Sequence, residues 1–255
     1  EQNINIFAED TLFKSELISL RPSFFYRSSD KFLAFSTTID TIEVATLEQL
    51  YPAQLMGVNT RNYLVDSLQD GQVKNAQLLW HGAINAFPFA HQQGVFQAQL
   101  QIADGKLKFA KEWPALSELD IDLQFENNGL TMTSKQGQLL DVELVGLSAS
   151  IPELTANAQL TIDVDAQANG QQVTDLMLQS SLANTLGKTL QQVQVTGPLA
   201  TQLNLYIPLS NKPIVAKGTV QLTDNDVMLP SLDILLQHTK GTVSFVNSAV
   251  SASGL

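Results

Sequence analysis

Apolar and polar residues alternate along most of this chain, and that period of two constrains its fold more than any other feature. In FQAQLQIADGKLKF (residues 96–109), Phe96, Ala98, Leu100 and Ile102 alternate with Gln97, Gln99 and Gln101, and Leu107 and Phe109 resume the pattern after Asp104-Gly105. In LDIDLQFENNGLTM (119–132), Leu119, Ile121, Leu123 and Phe125 precede Asn128-Gly129, after which Leu130 and Met132 follow. Successive side chains on a strand point to opposite faces, so each run has one apolar and one polar side. Asn-Gly between such runs predicts a hairpin, and Asp-Gly predicts a second one at 104–105. Further runs at Leu140, Val142 and Leu144, at Leu160, Ile162 and Val164, at Leu203, Leu205 and Ile207, at Val220 and Leu222, at Leu232, Ile234 and Leu236, and at Val243 and Phe245 make strand the default state. The fold class this predicts is mainly β and antiparallel.

Two segments break the period. TLEQLYPAQLMGVNTRNYLVDSLQDG begins with a Thr46-x-x-Gln49 capping pattern, is interrupted at Pro52, and predicts a short helix near 59–70 that Gly71 closes. QQVTDLMLQSSLANTLG places Leu178, Leu182 and Leu186 four apart ahead of Gly187 and predicts a second helix near 173–186. A shift of about 115 to 120 positions lays LQIADGKLKF over VQLTDNDVML, Asp104 over Asp224, as an internal repeat does. The chain thus divides into residues 1–45, the end of a preceding unit; 46–170, a first helix-plus-strands unit; and 171–255, a second.

An amphipathic sheet must cover its apolar face, and two short helices are too few for so many strands. Either two sheets close on each other as a sandwich or barrel, or the sheet curls into an open trough filled from outside. An acyl chain of about fifteen carbons in such a trough could supply up to ~12 kcal/mol before ordering costs. The outward Gln97, Gln99, Gln101, Asp120, Asp122 and Gln124 read as a solvated face.

Chemistry by side chains finds little support. His81, His91 and His238 lie in separate segments without metal-ligand spacing. Gly187-Lys188-Thr189 lacks the glycine a phosphate loop needs five positions earlier, where Leu182 stands. Asp163 and Asp165 lack the turn glycine and the terminal Glu of a calcium loop, their places being taken by Ala168 and Thr174. There is no G-x-S-x-G elbow. No catalytic residue, metal site or cofactor is expected. A net charge of -11, from 14 basic and 25 acidic residues, argues against nucleic acid as a partner. Phe87-Pro88-Phe89 and Trp113-Pro114 mark strand ends whose aromatics pack as local plugs, with a role in touching lipid as the alternative. Arg61 and Tyr63 read as a helix across a rim, with recognition of a lipid headgroup by Arg61 as the sharper alternative.

Several stretches occur in an order that carries a resemblance: LYPAQLMGVNTRNYLVDSLQDGQV, Gly82 with Phe87-Pro88-Phe89, GVFQAQLQI, Trp113-Pro114 with Leu116 and Leu119, and SASIPEL at 148–154. The set resembles the YhdP-type branch of the AsmA-like proteins, most densely from residue 50 to about 154 and weakly over the first 45. The resemblance implies a very long periplasmic protein of Gram-negative bacteria. Such a protein is held by an N-terminal inner-membrane helix and built of repeating β-groove units whose apolar interior conducts phospholipid toward the outer membrane. It favours the trough: a strongly twisted sheet curled around an elongated apolar groove, with phospholipid acyl chains as ligand and inner- and outer-membrane or periplasmic proteins at the ends of the whole molecule. In the first unit the lining would be Phe96, Leu100, Ile102, Leu107, Phe109, Leu119, Ile121, Leu123, Phe125, Leu130 and Met132. In the second it would be Leu203, Leu205, Ile207, Val220, Leu222, Leu232 and Ile234. A chain that starts without Met and ends on the alternating VSFVNSAVSASGL reads as a middle segment. The competing reading is a non-catalytic β-sandwich scaffold or adhesion module with a closed core.

Overall fold

The computed structural model describes residues 4–16, 18–50, 62, 65–155, 157–210, 212–247 and 249–254. Strands form over most of the alternating runs, although Leu140, at φ 52°, falls in the turn between two of them. The N-terminal part holds β1 (Asn5–Ala8), β2 (Phe13–Lys14), β3 (Ser19–Leu20), β4 (Ser23–Arg27), β5 (Phe32–Ile39) and β6 (Ile42–Glu43). Next come β7 (Leu68–Ala83), β8 (Val95–Leu107), β9 (Leu116–Glu126), β10 (Gly129–Ser134), β11 (Gly137–Leu139), β12 (Val142–Ile151) and β13 (Gln159–Asn169). The last are β14 (Gln194–Thr196), β15 (Pro198–Pro208), β16 (Val215–Leu229), β17 (Ile234–Val246) and β18 (Ala249–Ser253). All eighteen belong to one antiparallel sheet. Its backbone is a meander in which β4, β5, β7, β8, β9, β10, β12, β13, β15, β16, β17 and β18 pair in turn, with β1 on β4.

The connections fall on two edges. One edge carries the turns after β4, β7, β9, β12, β15 and β17; the other carries longer crossovers, including those between β5 and β7 and between β13 and β15. No second sheet covers the first among the described residues, and the exposed area reflects that. A compact monomer of 27.8 kDa exposes about 11,000 Å², whereas this chain exposes 15982 Å².

The expected hairpin at Asp104-Gly105 is absent. β8 runs through it, with a register shift between Ile102 and Gly105 against β9 and Asp104 at φ 53°. On β7 the bulge is matched by Gly71 (φ 121°), where a Cβ would lie 2.9 Å from the Gly105 Cα. Such bulges bend a sheet and sharpen its twist. Asp-Gly suits any positive-φ position, so the pair serves a bulge as readily as a turn, and β9 supplies the partner strand a hairpin would have made. A second corner occurs on β16, where the register shifts between Leu222 and Asn225. Asn225 is fully buried; its Nδ2 donates to the carbonyls of Thr196 and Pro198, each at 3.0 Å, and its Oδ1 accepts from the Thr223 amide at 3.0 Å. The two corners are the segments that the sequence repeat superimposes.

The helices also differ in detail from expectation. Thr46 is no cap: it lies inside a 3-10 helix, Val44–Leu50, and its hydroxyl donates to the Glu43 carbonyl at 2.8 Å. Of the helix expected near 59–70, Asn62 and Val65–Ser67 are helical, and Leu68 already begins β7; Tyr63 and Leu64 lie outside the described residues, as does Arg61. Gly71 therefore sits in a strand and closes no helix. The second helix, Gly170–Leu178, starts from a capping box between Asn169 and Gln172. Gly187 does not end helical structure, because a π turn, Ala183–Gly187, leads into the helix Lys188–Gln192. The reason for a glycine there is contact: a Cβ would lie 3.0 Å from Leu178 Cδ2.

The buried cluster gathers Ile42, Val44, Val73, Ala76, Ile102, Leu116, Leu119, Ile121 and Leu144. It lies toward the crossover edge, where the 3-10 helix folds onto β7. Toward the turn edge most of the same apolar face is half-buried, Ala149 and Ile151 of β12 being buried exceptions.

Candidate functional site

Register determines which side chains share a face. Leu100, Leu123, Met132, Ala149, Ile162 and Leu205 stand opposite one another in a row from β8 to β15. The next row toward the crossover edge runs through Ile102, Ile121, Ser134, Leu147, Val164 and Leu203, and reaches Phe245 and Val250 by way of Gly218. Gly218 leaves room for its neighbour, since a Cβ there would meet the Phe245 ring at 2.4 Å. A third row holds Ala98, Phe125, Leu130 and Ile151. The paired positions on this face from β1 to β18 carry no Asp, Glu, Lys or Arg.

Exposure along most strands rises from the crossover edge, with β12 an exception because Ala149 and Ile151 near its turn edge are buried. Leu119, Ile102, Ile121, Leu199 and Leu222 are buried near the crossover edge. Leu100, Leu123, Phe125, Leu130, Met132, Leu203, Leu205, Ile207 and Val220 are half-buried. Such residues form one contiguous apolar surface that no second sheet covers among the described residues, which is costly to leave in water and marks an interaction surface.

Most of the expected lining falls on this face, and a few positions stand apart. Leu107 ends β8, and Phe109 lies in the connection after it; both pack against the buried cluster. Leu232 is not on a strand but in a 3-10 turn, Pro230–Leu232, and is 64% exposed. Ile234 opens β17 at the outer corner of the crossover edge, opposite Leu229. The face also includes residues not expected there. Leu160, Ile162 and Val164 carry the same alternation as their neighbours, so the signal was present. Phe24, Tyr26, Leu33 and Phe35 were hidden because their strands are apolar on both sides: on the far face Phe25 and Phe32 pair at 6.4 Å, with the Arg27 guanidinium 5.1 Å from the Phe32 ring.

The polar face is more than solvated surface. The amide of Asn75 donates to Gln101 Oε1 at 2.6 Å and that of Gln101 to Asp122 Oδ1 at 2.7 Å, so the side chains form a ladder across β7, β8 and β9. Gln136 donates to Asp120 at 2.7 Å, Gln202 to Asp165 at 3.2 Å, and Asn204 to Asp163. Asp163 and Asp165 thus project mid-strand from β13. An ion pair with two hydrogen bonds is remote from the apolar face: Arg27 holds Asp30 at 2.8 and 2.7 Å, which keeps that carboxyl below the usual carboxylate range. His81 meets Phe32 edge-on at 5.0 Å, and His238 Nδ1 lies 3.0 Å from Asp224 Oδ1. Among the described residues no three His, Cys, Asp or Glu side chains converge on a metal position.

The sequence matches the family model described as YhdP protein over residues 2–255. The chain belongs to the YhdP family. The match includes the first 45 residues, where the resemblance in sequence is weak. The Intermembrane phospholipid transporter YhdP of Escherichia coli (strain K12) is 32% identical over 245 residues, which are 95% of this chain and 19% of that protein. The chain therefore spans less than a fifth of that relative's length. No solved structure matches it. Among the described residues no helix is long and apolar enough to cross a membrane, a statement that does not extend to strands.

Proposed function

We propose that this chain is a section of a conduit that carries phospholipid between the inner and outer membranes of a Gram-negative envelope, and so supports the outer-membrane barrier. Acyl chains lie across the strands on the apolar face, against residues such as Leu100, Ile121, Leu123, Leu203 and Leu205, while headgroups stay in water because burying an unpaired phosphate is costly. The observation that carries this reading is the uncovered, uncharged face running through the whole sheet, in a chain whose relative is named a phospholipid transporter. Its two groove units span residues 46–170 and 171–255, preceded by the end of another, and repetition lengthens such a path. The section works in the periplasm as part of an inner-membrane-anchored protein whose ends meet proteins of the two membranes. A closed scaffold or adhesion module is not favoured, since among the described residues no second sheet closes over the first.

Purification without detergent, followed by lipid extraction and mass spectrometry, tests this directly. Phospholipid should be recovered with the chain in near-stoichiometric amount, and fluorescent phospholipid should be taken up. Lipid-free protein that takes up no probe would count against a conduit.

A further inference from the structure

We infer that the groove is narrower at β7 and β8 than at β15, because the connection bearing Phe87-Pro88-Phe89 folds over the apolar face there, and that the Phe87 ring limits the passage of lipid at that point. The inference rests on the conduit reading. Gly82 stands opposite Leu33 and two residues from Trp80, which pairs with Phe35 and Phe96, so all five positions belong to the apolar face. Phe89 is 2% exposed, and its ring fills the space over two glycines: a Cβ would reach it at 2.7 Å from Gly82 and at 2.6 Å from Gly94. The connection is therefore turned inward over the groove. Phe87 stacks on Trp80 at 5.4 Å and 23°, meets Phe96 edge-on at 6.1 Å, and remains 43% exposed.

The opposite edge closes in over the same strands. Ile42 and Val44 belong with Val73, Ala76 and Ile102 in the buried cluster, and the partly buried Leu47 packs against it. Between the two, the described residues leave Leu78 on β7 and only Ala98 and Leu100 on β8. On β15 the free stretch runs from Thr201 through Leu203 and Leu205 to Ile207. At the rise of an extended strand, Ala98 to Leu100 spans about 7 Å and Thr201 to Ile207 about 20 Å. No aromatic clasp narrows the second stretch: the connection after β15 leaves Leu209 and Ile214 exposed at 51% and 57%. The buried Phe89 anchors the clasp, and the half-exposed Phe87 forms its wall.

A purely structural aromatic and a constriction respond oppositely to truncation. The test uses the full-length protein carrying this section, with transfer of nitrobenzoxadiazole-labelled phosphatidylethanolamine between vesicles of phosphatidylethanolamine and phosphatidylglycerol as the readout. Phe87→Ala should raise the transfer rate by roughly threefold or more, the change that ~0.7 kcal/mol off a barrier produces, and Phe87→Trp should lower it. Phe87→Leu, also smaller and apolar, should raise the rate and serves if Phe87→Ala fails to resist proteolysis. Transfer by folded Phe87→Ala or Phe87→Leu at or below the wild-type rate overturns the constriction and leaves the conduit standing. Failure of the wild-type protein to transfer any lipid overturns the conduit reading itself.

Discussion

Leu119→Ala is expected to lower the unfolding free energy of this chain by about 2–5 kcal/mol, the range for truncating a tightly packed leucine. Leu119 is 1% exposed and pairs with Gly105 at the β8 bulge. A Cβ at Gly137 would lie 2.7 Å from its Cδ2, and one at Gly105 would lie 3.5 Å from its Cβ. The space it leaves cannot readily collapse, because its neighbours Gly105 and Gly137 have no side chains to move in. A single-layer sheet has few other buried contacts, so the loss falls on the cluster that holds the 3-10 helix Val44–Leu50 on β7. Urea unfolding followed by circular dichroism reads the effect. The midpoint for Leu119→Ala should lie well below that for Leu123→Ala, whose side chain is half-buried. Equal midpoints would mean that the two rows are packed alike and that the graded burial does not govern stability.

Leu123→Asp is expected to abolish lipid retention with little loss of folded protein, while Leu123→Ala keeps most of the lipid. The aspartate would stand in the row between Leu100 and Met132, with no cation among the paired positions of the face to neutralise it. An acyl chain laid over that carboxylate would remove it from water, at a cost of several kcal/mol unless it protonates. Without lipid the half-exposed position lets water reach the charge, so the folded state is penalised much less. At least a tenfold fall in bound lipid corresponds to about 1.4 kcal/mol or more. Truncation to alanine widens the trough and removes some contact, at ~0.8 kcal/mol for each buried methylene. Mass spectrometry of co-purified lipid, beside a proteolysis assay, separates the two variants. Normal lipid on a folded Leu123→Asp variant would move the path off this face.

Strand content and facing were legible because the alternation at 96–102, 119–125 and 203–207 is strict and one face is buried more than the other. What eluded the sequence was whatever depends on backbone curvature. Asp104-Gly105 could not be told from a turn, since both uses require positive φ at one residue. Thr46 matched a capping pattern by spacing alone, yet the chain at Val44 had already entered a 3-10 turn. Gly187 looked like a stop because its packing against Leu178 is a tertiary contact. The aromatics of β4 and β5 gave no period because Phe25 and Phe32 also find partners on the far side. Leu232 kept the two-residue spacing, but Pro230 turns the chain before β17 begins at Ile234. For the candidate site this means that the middle of the groove could be read from pattern, whereas its corners and the inward fold of Phe87 and Phe89 could not.

Photo-crosslinking with a benzophenone amino acid, placed one residue at a time along β8, β9 and β15 in cells, tests the central claim most directly. If acyl chains lie on the apolar face, phospholipid adducts should form at positions 100, 123 and 205 and be absent at 99, 122 and 204, a period of two that matches the strand. Adducts of equal strength at both sets of positions, or at neither, would contradict a lipid path on this face.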